Sequence, residues 1–259
     1  MAKTVVLTRP KGPYAGDEGL SRRLEAEGYS VINLFALAVE ARELRDEDVA
    51  ALRNALQSTE SWLAFLSPTA VFVFRDQCAR LGIDLRSSQA RLAAQGPGTS
   101  DGVRTIFQRE VDLESPIAIA EAFAEQLAHR LGGRGRVVVP QSADGRDVFA
   151  PIVRASGIEV TTVSTYGLVT VSPSDHDVAA VRALTPDESF LVFMSPSAVR
   201  ATVGTFPDPE HLKCLRIVSI GPVTSKAVRE AGLKVFVEAK EYTESGVVEC
   251  LRGYMTLAS

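Results

Sequence analysis

Two small-residue signatures each occur twice in this chain of 259 residues, and both suit the holding of anions. Ser67-Pro68-Thr69-Ala70 returns as Ser195-Pro196-Ser197-Ala198, and Gly96-Pro97-Gly98-Thr99 returns as Gly221-Pro222-Val223-Thr224. Each follows a short apolar run and precedes a helical pattern, so each marks a strand-to-helix turn. The first amides of a helix lack intrahelical acceptors, and its dipole favours negative charge there. A serine or threonine at such a turn adds a hydroxyl donor or caps the helix. Ser67, Ser195 and Ser197 are therefore candidate donors to an anion. Thr99 and Thr224 are candidates for the same role, with capping the blander reading of Thr99. Gly96 and Gly221 suit tight turns where backbone approaches a ligand closely. No motif places a histidine or lysine beside the serines, so a nucleophilic serine lacks an activating base. Arg9 and Arg146, near the ends of equivalent strands, are candidates for direct charge pairing.

Other chemistries find little support. His129, His176 and His211 are scattered without metal-ligand spacing. Cys78, Cys214 and Cys250 lie far apart with no CxxC, which reads as buried thiols. The net charge of -4 argues against a nucleic-acid partner, whose binders carry a basic excess. No apolar run approaches the roughly 20 residues a membrane-spanning helix needs. The chain begins directly with the strand-like Thr4-Val5-Val6-Leu7, so a soluble cytoplasmic protein is expected.

The elements that position these residues form an internal repeat. Lys3 to Pro10 aligns with Gly135 to Gln141, Trp62 to Val71 with Phe190 to Val199, and Ala94 to Ser100 with Ser219 to Ser225. Each half reads strand, helix, strand, then strand, helix, strand, helix, helix. Helices over 17–27 and 146–156 should stop at Gly28 and Gly157, and Ser115 and Ser245 should cap two later helices. Short continuous apolar strands such as Val137-Val138-Val139 and Leu191-Val192-Phe193 indicate a parallel sheet covered on both faces. The expected fold is α/β, with flavodoxin-like, doubly wound sheets whose ligands sit beyond the carboxyl ends of the strands. Segments 35–42 and 164–171 both look extended and are able to pair as an antiparallel ribbon. That would make 43–164 an inserted domain, an arrangement these residues permit without requiring it.

The set as a whole resembles the uroporphyrinogen-III synthase family along essentially its full length. The likeness rests on Val5 to Pro10, Phe65-Leu66-Ser67-Pro68, Phe193 to Ala198, Thr162 to Tyr166, and Ile220 to Ser225 followed by Ala227 and Gly232. Gln95 departs from the pattern, standing where the family usually has a small apolar residue. The resemblance implies two flavodoxin-like domains joined by a two-stranded antiparallel linker, with substrate in the cleft between them. The domains would be 1–36 with 171–259, and 43–164, with 37–42 and 165–170 as the ribbon. It also implies a monomer without metal or organic cofactor, acting on hydroxymethylbilane, with a transient contact to the preceding pathway enzyme left open. The turns at 67, 96, 195 and 221 would line the cleft. Tyr166, on the ribbon, is implied as proton donor for loss of the hydroxyl, or as a packing residue, and Thr224 is the second catalytic candidate. A non-catalytic two-lobed binding or sensor module is the competing reading. Paired receiver domains are disfavoured because the strand ends lack an acidic cluster for magnesium.

Overall fold

The structure, a computed structural model, describes residues 3–12, 14, 19–116, 119–145 and 147–255. It divides into two compact units, Met1–Val39 with Val169–Ser259, and Glu40–Leu168. The chain opens the first unit with β1 (Thr4–Lys11), α1 (Gly19–Ala26) and β2 (Ser30–Ala41). It then builds the second from α2 (Asp46–Leu56), β3 (Ser61–Phe65), α3 (Pro68–Arg80), β4 (Arg91–Gln95), α4 (Pro97–Phe107), β5 (Leu113–Ser115), α5 (Ala120–Leu131), β6 (Arg136–Ser142), α6 (Phe149–Ala155) and β7 (Glu159–Thr170). The first unit is completed by α7 (Asp175–Arg182), β8 (Ser189–Phe193), α8 (Pro196–Thr205), α9 (Pro209–Leu212), β9 (Arg216–Ser219), α10 (Pro222–Glu230), β10 (Val235–Glu238) and α11 (Glu244–Met255).

Within the first unit the strands run β2-β1-β8-β9-β10, all pairings parallel. The second runs β7-β6-β3-β4-β5, again parallel throughout. These are one flavodoxin-like order. The second unit is a circular permutation of the first, with β6 and β7 in the places of β1 and β2. The repeat in the sequence is this equivalence. β3 and β8 are buried at every position, as strands covered on both faces must be. Separate cores form around Trp62, Phe123, Val137 and Phe149 in the second unit, and around Leu7, Leu24, Phe190 and Val247 in the first.

Three local expectations change. The fifth strand of each sheet, β5 and β10, falls where only helix was expected: β5, Leu113-Glu114-Ser115, has no apolar run, and β10, Val235-Phe236-Val237-Glu238, is apolar but only four residues long. Ser115 belongs to β5 and does not cap α5, whose preceding residue Ile119 makes no side-chain cap. Ser245 lies inside α11; Thr243 does the capping, accepting from Gly246 N at 3.0 Å. The thiols also differ from expectation: Cys78 is buried, but Cys250 is half-buried and Cys214 exposed. Gly28 and Gly157 follow α1 and α6 with φ of 90° and 81°, conformations open to glycine at little cost.

Segments 35–42 and 164–171 lie almost wholly in β2 and β7. Arg42 N donates to Thr165 O at 2.9 Å within the second unit, and Val171 N to Ala36 O at 3.0 Å within the first. The buried Gln77 of α3 strengthens the first point, its Nε2 donating to Thr165 O at 3.2 Å and to Arg42 O.

Candidate functional site

A doubly wound sheet leaves a crevice beyond the carboxyl ends of its strands where the strand order reverses. In the first unit that point lies between β1 and β8, and in the second between β6 and β3. Ser195 follows the end of β8 and Ser67 the end of β3. The two serines are near copies, with φ/ψ of -161°/157° and -160°/156°. Each side chain accepts from a backbone amide of its helix, Ser195 Oγ from Ala198 N at 3.1 Å and Ser67 Oγ from Ala70 N at 3.2 Å. Proline at the first helical position loses nothing, since that amide would be unpaired anyway. Both oxygens are thus engaged as caps, and each hydroxyl proton stays available for a second acceptor. Ser197 is half-buried one position further on and accepts from the exposed Arg200 at 3.5 Å. Arg9 is half-buried near the carboxyl end of β1, after Thr8, whose hydroxyl donates to Val192 O at 2.8 Å. Arg146 lies outside the described residues.

The next turn of each unit differs in kind. Gly96 and Gly221 are the N-cap residues of α4 and α10, so neither helix has a side-chain cap and the leading amides are left to a ligand or water. Gly96 has φ 80° and requires glycine for its conformation. Gly221, at φ 172°, is extended and requires glycine for space, because a Cβ there would stand 2.9 Å from the Tyr242 ring. Thr99 and Thr224 occupy the third helical positions, where each is 3% exposed. They cap nothing, and neither hydroxyl has a hydrogen-bond partner among the described residues. Behind α10, Ser219 and Ser225 share a hydrogen bond of 2.5 Å and Ser225 donates to Glu238. In the second unit Ala94 replaces Ser219, and the buried Ser100 Oγ and Gln95 Oε1 have no hydrogen-bond partner.

Tyr166 stands near the carboxyl end of β7, 8% exposed, with its phenol oxygen 3.4 Å from Ser67 Oγ. Burial pushes its pKa above the usual 10; the Ser67 hydrogen bond opposes this, and the Asp144 carboxylate adds to the rise. Asp144 was not marked as a site residue by sequence. It sits in the turn after β6, accepts from Leu168 N at 2.7 Å, and would lie 3.3 Å from a Cβ at Gly167. Its only signal was the turn composition of Ser142-Ala143-Asp144-Gly145. Among the described residues no three of His, Cys, Asp or Glu cluster as a metal site would require. The turns of each unit thus offer helix amides and hydroxyls able to hold anions, and the second unit adds the Tyr166 phenol.

The model of the family described as uroporphyrinogen-III synthase HemD matches residues 18–249. The chain belongs to the uroporphyrinogen-III synthase family. It is 26% identical over 262 residues to the uroporphyrinogen-III synthase of Synechococcus elongatus, covering 96% of this chain and 94% of that one. The solved uroporphyrinogen-III synthetase of Helicobacter pylori shares the fold at TM-score 0.66 and 15% identity, over 99% of this chain and 100% of that. A uroporphyrinogen III synthase from Thermus thermophilus does so at TM-score 0.58 and 17% identity, over 98% and 99%. Uroporphyrinogen-III synthase membership makes tetrapyrrole biosynthesis the setting in which the paired switch points are to be understood. Among the described residues no helix is long and apolar enough to cross a membrane.

Proposed function

We propose that the chain cyclises hydroxymethylbilane to uroporphyrinogen III, a cofactor-independent lyase reaction that eliminates water and inverts the last ring. The family match over residues 18–249 carries this reading. The chemistry of the two switch points supports it. An octacarboxylate substrate is served better by many dispersed amide and hydroxyl donors than by one basic pocket, which suits a chain of net charge -4. The amides opening α3, α4, α8 and α10, with Ser67, Ser195, Ser197, Thr99 and Thr224, take the carboxylates, and Arg9 adds one fixed cation.

The phenol of Tyr166 gives its proton to the departing hydroxyl of the hydroxymethyl group, so that water leaves and an azafulvenium cation remains on the first ring. Burial keeps that phenol protonated at neutral pH, and Ser67, itself fixed by the Ala70 amide, orients it. An electron-rich pyrrole expels hydroxide readily, so an acid this weak suffices. The last ring attacks through its substituted α-carbon to give a spiro intermediate. That intermediate fragments and recloses through the free α-carbon, whose proton is lost and restores the phenol. Unassisted closure gives the uninverted isomer. The main catalytic task is therefore to hold the reacting ends in one near-attack geometry.

The test supplies fresh hydroxymethylbilane, oxidises the products and separates the porphyrin isomers. The inverted isomer should dominate; the uninverted isomer alone would overturn the proposal.

A further inference from the structure

Among the described residues the strongly exposed large hydrophobic side chains are Ile119, Val223, Phe236 and Tyr242, and two of these four flank the start of α10. Val223, 52% exposed, is its second residue, and Tyr242, 61% exposed, lays its ring on Gly221. Phe236 is engaged by other groups, its ring meeting Phe190, Tyr254 and the Arg216 guanidinium. Tyr242 has no such company: its ring meets no other aromatic ring or cation, and its hydroxyl has no hydrogen-bond partner, among the described residues. One turn into the helix is Thr224, 3% exposed with an unpartnered hydroxyl. An aromatic face, uncapped helix amides and a waiting hydroxyl therefore meet at one point of the first unit.

Among the described residues the equivalent point of the second unit lacks the aromatic: the repeat that sets Glu114 against Glu244 puts Asp112 in the place of Tyr242. Gly98 replaces Val223, and a Cβ there would meet only Pro68 Cγ, at 4.0 Å. The repeat thus supplies the anion-binding turn twice and the apolar platform once. That asymmetry matters for a substrate made of similar rings, each bearing carboxylate side chains, of which a single one must be held differently from the rest.

We propose that Tyr242, seated on Gly221, is a positioning residue whose ring stacks on one pyrrole of the substrate, while a carboxylate of that ring takes the leading amides of α10 and the Thr224 hydroxyl. This rests on the synthase reading and extends it to one ring. Gly221 belongs to the device because any side chain there displaces the platform. Stacking of this kind is felt equally in the bound substrate and in the transition state, so its loss acts mainly on KM.

The experiment compares wild type, Tyr242→Ala, Tyr242→Phe and Gly221→Ala for KM and kcat with hydroxymethylbilane, and for equilibrium binding of reduced uroporphyrinogen III. Tyr242→Ala should raise KM and weaken product binding by about five- to tenfold, with kcat changed much less. Tyr242→Phe, which keeps the ring, should recover most of that loss, and Gly221→Ala should resemble Tyr242→Ala. Equal defects in the Phe and Ala variants, or a KM and binding in Tyr242→Ala within twofold of wild type, would overturn the platform. The binding arm separates the two proposals: a wild type that binds uroporphyrinogen III through Tyr242 but never forms the inverted isomer refutes the synthase reading alone.

Discussion

The Tyr166 phenol oxygen stands 3.4 Å from the Ser67 hydroxyl, although 99 residues separate the two in sequence. Ser67 is held by the α3 amides and Tyr166 by β7, so the separation is set by how the strands pack. It is long for a hydrogen bond between hydroxyls and leaves room to shorten when substrate arrives. Tyr166→Phe should therefore lower kcat by about a hundredfold or more while the circular dichroism and melting curve stay close to wild type. Near-normal turnover in this variant would leave Tyr166 a packing residue.

The two serine caps should be separable by chemistry. Ser67→Ala and Ser195→Ala each remove the acceptor for one helix amide and should each cost about 1 kcal/mol of stability, whereas the glycine variants should cost only a few tenths. If the hydroxyls also donate to substrate, KM rises in the alanine and glycine variants alike. Paired denaturation and kinetic measurements on the four proteins distinguish a cap from a cap that also binds.

Thr224→Val removes a hydroxyl that has no partner in the protein and keeps the shape of the side chain. Folding stability should stay within about 0.5 kcal/mol of wild type, because the hydroxyl makes no hydrogen bond in the protein and its oxygen is not among the side-chain atoms sealed from solvent without a partner. By contrast kcat/KM should fall about tenfold, the scale of one lost hydrogen bond to a charged group. A stability loss with unchanged kinetics would show that the hydroxyl serves the fold.

Gln77→Leu leaves Arg42 O without its side-chain donor and Thr165 O with one donor fewer. A loss of about 1–3 kcal/mol is expected, read as a lower denaturant midpoint. An unchanged midpoint would mean water takes over both carbonyls.

Alkaline pH should destabilise the protein in a defined window. Burial pushes the Cys78 thiol from 9.0 to about 12, and, with smaller help from nearby charges, the Tyr29 phenol from 10.0 to about 12. In both cases the folded chain holds the proton more tightly than the unfolded chain does. Their contribution is therefore complete below about pH 9 and is lost as pH climbs toward 12. Urea midpoints should be level from about pH 7 to 8.5 and fall from about pH 9 to 11.5. Cys78→Ala should flatten the first part of that fall.

The parts legible in sequence were those that recur. Ser67 and Ser195 announce themselves because cap, proline and apolar strand return in the same order, and the doubly wound architecture follows from the same repetition. Gly96 and Gly221 look alike in sequence, yet one answers to a backbone angle and the other to the ring of Tyr242. No local pattern carries that distinction. Ser115 and Ser245 misled because Glu-Ser before an apolar run suits a cap, while the short strand β5 and the neighbouring Thr243 claim those roles. Asp144 and Tyr242 were missed because their roles depend on partners, Tyr166 and Gly221, that only tertiary packing supplies.

The nesting of strands also dictates an order of assembly. Glu40–Leu168 is one continuous stretch and can fold as it leaves the ribosome, whereas β1 pairs Thr4 with Ser189 and waits for β8 to be synthesised. Until then the amino-terminal β1-α1-β2 segment carries an open, apolar strand edge, the kind of surface that recruits wrong neighbours. Truncation products ending between β7 and β8 should contain one finished half and still be aggregation-prone, because their β1 edge has no β8 to cover it.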